Sequence, residues 1–75
     1  MRAKFTAVIR AEEGGYVAST PDLDIASQGS SPEEALANLR EAVELFLETA
    51  SPEEVKGRLS EDAWITQFET DYAPA

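Results

Sequence analysis

Four carboxylates stand close together around the middle of the chain: Asp22 and Asp24, then Glu33 and Glu34. Two chemistries are open to such a set. Joined by a helical acid such as Glu44, they would serve metal-dependent nucleic-acid cleavage if they converged on hard divalent cations held by oxygen ligands. Left solvated, they would accept charge-assisted hydrogen bonds from the Lys and Arg side chains of a basic partner. The first is not expected, because the periodicity sets Glu44 on the polar side of its helix, pointing away from the sheet. Glu33 and Glu34 also suit helix capping, and Asp22 suits turn chemistry; both roles are compatible with partner binding. Glu12 and Glu13 read as solubilising residues on a hairpin turn.

Composition narrows the chemistry further. There is no cysteine and no histidine. That removes disulfides, thiolate zinc sites, the usual near-neutral acid/base group and the commonest transition-metal ligand. No catalytic residue, cofactor site or metal site is therefore assigned. The formal net charge is −9. Residues 1–20 hold three basic and two acidic side chains, residues 21–50 one and seven, and residues 51–75 two and six. Phosphate backbones are bound by Lys and Arg, so direct nucleic-acid binding is not expected. A basic protein partner would be steered towards this charge, although acidity also serves plain solubility. No apolar run reaches the ~18–20 residues of a membrane span, and no apolar signal core follows Met1–Phe5, so a cytoplasmic protein is expected.

The elements that must position these residues follow from periodicity. Lys4–Arg10 alternates, with Phe5, Ala7 and Ile9 on one face, and reads as a strand. Ala11–Gly15 is a turn whose glycine pair permits a hairpin. Tyr16–Ser19 is the second strand, which Pro21 stops by lacking an amide hydrogen. Asp22–Ile25 connects to a short third strand over Ala26–Gly29. Ser31-Pro32-Glu33-Glu34 starts a helix: Ser31 caps, Pro32 fits the first turn and Glu34 completes a capping box. Ala35, Leu36, Leu39, Ala42, Val43, Phe46 and Leu47 then form an apolar stripe, predicting a helix over Pro32–Thr49. Ser51-Pro52-Glu53-Glu54 repeats the start signal and opens a short helix over 52–59. Trp64–Glu69 alternates again and predicts a fourth strand, beside the first or on another subunit. The order is β-β-β-α-(α)-β, an α+β fold with one long helix packed on one face of the sheet. Residues 1–72 form a single domain and 73–75 a tail.

In sequence, Phe5-Thr6-Ala7-Val8-Ile9, Gly15-Tyr16-Val17-Ala18, Pro21-Asp22-Leu23, Ser27-Gln28-Gly29, Ser31-x-Glu33-Glu34-Ala35 and Leu39-Arg40-Glu41-Ala42 together resemble the HicB-like antitoxin family. Ile65-Thr66-Gln67-Phe68-Glu69 resembles the final strand of that family. The resemblance covers nearly the whole chain. It implies a partial RNase H-like sheet without the catalytic set of the enzyme. It also implies an antitoxin of a type II toxin–antitoxin system, whose partner is a HicA-like toxin: a small, basic, RNA-cleaving protein that the antitoxin occludes. Asp24, Ile25 and Ala26 depart from the family pattern, in which Pro-Gly and Cys are common at these places. Longer relatives add a DNA-binding domain at the C-terminus. The chain resembles the short form, so operator binding by this chain alone is not expected.

On this reading Asp22, Asp24, Glu33 and Glu34 are the expected toxin-binding residues. A core of this length supplies only roughly 3–5 kcal/mol without a brace, and a second copy of the chain is the expected one, in a homo-dimer or tetramer. Trp64, Ile65 and Phe68 are the expected subunit contact, since an exposed edge strand invites pairing. Two alternatives stand beside the antitoxin: an orphan oligomeric scaffold of the same fold without a toxin, and a metal-dependent RNase H-like nuclease.

Overall fold

The alternating pattern that begins at Phe5 becomes a paired strand only from Val8. A computed structural model describes residues 3–59 and 66–73. Its elements, in chain order, are β1 (Val8–Glu12), β2 (Gly15–Thr20), β3 (Ile25–Gly29), α1 (Pro32–Thr49) and α2 (Pro52–Arg58). The three strands form one antiparallel meander in the order β1-β2-β3. Glu12 pairs with Gly15, so the first turn shrinks to Glu13-Gly14, with Gly14 at φ +86°. That angle lies in the region glycine enters without steric cost.

β1 starts later than the alternation because β2 ends early. Pro21 follows Thr20 and offers no amide hydrogen to a neighbour. The chain turns away there, and the amide of Thr6 donates to Asp22 Oδ2 at 2.7 Å, a turn carboxylate in place of a strand carbonyl.

The register sorts the residues onto two faces. Ile9, Ala18 and Ser27 form one cross-strand row; Ala11, Tyr16 and Gly29 form the next. This face meets α1. The buried core consists of Ala18 and Leu23 from the sheet side and Ala35, Leu39 and Val43 from the helix, with Phe5, Tyr16, Ile25 and Phe46 packed around it. Val8, Arg10, Val17, Ser19, Ala26 and Gln28 lie on the other face, which no described element covers.

α1 begins as its sequence dictates. Ser31 Oγ accepts from the Glu34 amide at 3.1 Å. Glu34 Oε1 reaches back to the Ser30 amide at 2.8 Å, one residue before the cap. This is a capping box displaced by one position. Both glutamates sit at the positive end of the helix dipole. Gly29 lets this start lie directly on β3: a Cβ at that position would stand 2.5 Å from the Ala35 nitrogen and 2.8 Å from the Glu34 carbonyl carbon. Asn38 Nδ2 adds a bond to the Gln28 carbonyl at 2.7 Å. These contacts draw α1 over β3 and β2 and leave β1 largely uncovered. Leu36 and Leu47, on the β1 side of the apolar stripe, consequently remain 38% exposed.

α2 is held by two links. Ser51 caps it through the Glu54 amide at 3.1 Å. From its last turn, the Arg58 guanidinium donates to the Leu23 carbonyl at 2.8 Å and lies 5.0 Å from the centre of the Phe46 ring. The fourth strand expected over Trp64–Glu69 begins in residues outside the described ones. Its remainder, Thr66–Glu69, has no regular secondary structure, and none of the described strands runs beside it to take up its backbone groups.

Candidate protein-interaction surface

The four carboxylates do not form one ridge. Asp22 and Asp24 lie in the β2–β3 turn, whereas Glu33 and Glu34 lie in the first turn of α1. The five-residue strand β3 separates them, a span of about 16 Å at ~3.3 Å per residue. Asp22 is half-buried and committed to its own fold: Oδ2 accepts from the Thr6 amide and from the hydroxyl of buried Thr20, at 2.7 and 3.4 Å. Asp24 is exposed and has φ +56°, in the left-handed region that Asp and Asn tolerate better than most residues. Glu33 is exposed, and Glu34 uses one carboxylate oxygen on the Ser30 amide.

The meander brings a different acidic group together. The β1–β2 turn and the end of β3 are neighbours, because Tyr16 pairs with Gly29. Glu12, Glu13 and Glu34 therefore border one shallow concavity floored by Gly15, Gly29 and Ser30. Glu12 and Glu13, read from sequence as plain turn residues, belong to this end of the molecule. The signal that could have found them is the hairpin pairing itself, which returns β3 to the level of the first turn.

Glu44 is exposed and borders a second depression, between α1 and the segment preceding β1. Its exposure is in keeping with the polar helix face expected from sequence, and it flanks the gap that α1 leaves by lying towards β3. Among the described residues, no three Asp or Glu side chains come together in a way that would hold a metal ion. The floor of this depression is apolar, built from Phe5, Ala7, Leu36, Val43 and Leu47, with Arg40 and Glu44 along the helix side.

Of the three residues expected at a subunit contact, Trp64 and Ile65 lie outside the described residues. Phe68 is 88% exposed, and Tyr72, four residues on, is 82% exposed. Tyr16 packs against the core. Among the described residues, no helix is long and apolar enough to cross a membrane.

These features define a small α+β domain whose unspent chemistry is exposed acid, the open edge of β1 and the exposed aromatic side chains of Phe68 and Tyr72. No family model and no solved structure matches the chain. A UPF0150 protein of Helicobacter pylori strain J99 is 40% identical over 68 residues, which cover 89% of this chain and 94% of that relative. The chain belongs to the UPF0150 family.

Proposed function

We propose that the chain is a HicB-like antitoxin that binds a HicA-like, RNA-cleaving toxin and covers its active surface. The observation that carries this reading is family membership: UPF0150 is a HicB-like family, and the 40% identical relative spans nearly the whole chain. The meander-then-helix order is in keeping with a partial RNase H-like sheet.

The geometry supports a revised contact surface. Glu12, Glu13, Glu33 and Glu34 are exposed together at one end of the molecule and would meet a basic partner there, with Asp24 a separate contact at the other end of β3. Asp22 holds the fold. Charges placed at the rim of an interface chiefly raise the association rate and make it sensitive to salt. Inhibition on this reading is steric: the antitoxin fills the surface that RNA would occupy, without any chemical step of its own.

The test is reconstitution with the HicA-like protein encoded beside this gene. A stoichiometric complex and loss of RNA cleavage are expected. Undiminished cleavage in the presence of excess chain would refute the reading and leave an orphan scaffold. Replacing Glu12 and Glu13 by Lys is expected to slow association about tenfold at low salt, with a smaller effect at high salt.

A further inference from the structure

Two segments lie at the margin of the fold without a fully buried side chain. Residues 3–7, ahead of β1, pair with none of the described strands, and only Phe5 among them is half-buried. α2 has no buried residue, and Val55 is its one half-buried side chain. Both segments are fastened to the same turn. The Thr6 amide donates to Asp22 Oδ2 at 2.7 Å, and the Arg58 guanidinium donates to the Leu23 carbonyl at 2.8 Å. Among the described residues, no other side chain of α2 hydrogen-bonds to the rest of the domain. The two acceptors stand on consecutive residues.

The turn's own bonds are weaker than these fastenings. Within it, the Leu23 amide reaches the Thr20 carbonyl at 3.4 Å, and the Thr20 hydroxyl reaches Asp22 Oδ2 at 3.4 Å. Both exceed the ~3.2 Å that bounds a well-formed hydrogen bond. Arg58 and the buried Leu23 side chain fix the peptide that follows Asp22. The Asp22 carboxylate meets the Thr6 amide only while the turn keeps that shape. Without Thr6, in turn, Asp22 retains only the long bond from Thr20. Groups that share one small network in this way do not contribute independently.

We infer that the Thr20–Asp24 turn is a clasp for both segments: α2 and residues 3–7 open as units smaller than the whole fold, and release of one loosens the other. The clasp governs an apolar strip on α1. Phe5, Thr6 and Ala7 wall the depression that exposes Leu36 and Leu47, while Val55 and Leu59 wall another on the far side of Leu47. Half-buried Phe46 lies beneath the Arg58 guanidinium. Opening both segments joins the two depressions across Leu47 and uncovers Phe46. The inference concerns the chain alone and does not depend on the antitoxin reading.

The test is amide hydrogen exchange on the full chain. The Thr6 amide, bonded to Asp22, reports on residues 3–7; the Leu59 amide, bonded to the Val55 carbonyl at 3.0 Å, reports on α2; and Leu39, inside α1, reports on the whole fold. Thr6 and Leu59 are expected to be protected at least about tenfold less than Leu39. Equal protection at all three would show a single cooperative unit and overturn the inference. In Arg58→Ala, Thr6 is expected to lose about threefold or more of its protection, although Arg58 does not touch it. Unchanged protection at Thr6 would show two independent fastenings and overturn the inference as well. A second measurement combines Arg58→Ala with Asp22→Ala. The unfolding constant of the double variant in urea is expected to rise about threefold less than the product of the two single changes. A rise equal to that product would sink the coupling.

Discussion

Arg58 donates to the carbonyl of Leu23 across 35 residues of chain, at 2.8 Å. Leu23 is fully buried at the tip of the β2–β3 turn, so its carbonyl is held rigidly. The guanidinium lies at the same time over the Phe46 ring. One side chain thus ties α2 to the sheet and to α1. A charged hydrogen bond contributes about 1.5–3 kcal/mol and an exposed cation–π contact about 0.5–1 kcal/mol, with partial exposure reducing the total. Arg58→Ala is expected to cost about 1–2 kcal/mol in urea unfolding, and Arg58→Lys to recover only part of it.

Two glycines are expected to respond in opposite directions to the same change. At Gly29 an added methyl would meet the backbone of Glu34 and Ala35, which cannot rotate away. Gly29→Ala is expected to destabilise by about 2–3 kcal/mol, since overpacking against fixed atoms forces the helix off the strand. At Gly57, inside α2, a Cβ meets nothing within 4 Å. Gly57→Ala is expected to stabilise by about 0.5–1 kcal/mol. Thermal unfolding of the two variants together checks both signs.

Asp22 separates a structural from a binding role. Asp22→Asn keeps an oxygen for the Thr6 amide, whereas Asp22→Ala leaves that amide without its acceptor. The Asn variant is expected to stay within about 0.5 kcal/mol of the parent and the Ala variant to lose about 1 kcal/mol. Neither is expected to change toxin affinity more than its stability explains. A large loss of binding in a stable Asn variant would return Asp22 to the contact surface.

Asp24 occupies a left-handed backbone at φ +56°. A β-branched residue there has no compensating turn chemistry, so Asp24→Val is expected to cost about 1–2 kcal/mol. Asp24→Asn should be neutral. Denaturant midpoints measured on these two variants distinguish backbone strain from loss of charge, because both remove the carboxylate.

Most of the fold was legible where the signals are local. The limits predicted for α1, Pro32 and Thr49, are those observed, because Ser31, Pro32 and Glu34 are read within a single turn. The sequence placed β2 and β3 correctly to within one residue at each end. β1 was read too early: the alternation of Phe5 and Ala7 is real, but pairing depends on how far β2 runs, and Pro21 cuts it short. The grouping of the acids in space was not legible for the same reason. Asp22 and Glu33 are neighbours in sequence and opposite in space because an extended strand lies between them. Glu12 and Glu34 are distant in sequence and adjacent because two turns bring them back. Patterns report which face a residue takes, not which end of a sheet it reaches.

The meander has a kinetic consequence. β1 pairs with β2, β2 with β3, and α1 then closes over β3, so each step joins an element to the one just made. Little loop entropy is spent at any step, which favours fast folding. Among the described residues, the five buried core side chains all lie at or before Val43. The core is thus assembled from neighbouring elements in the order in which they occur in the chain.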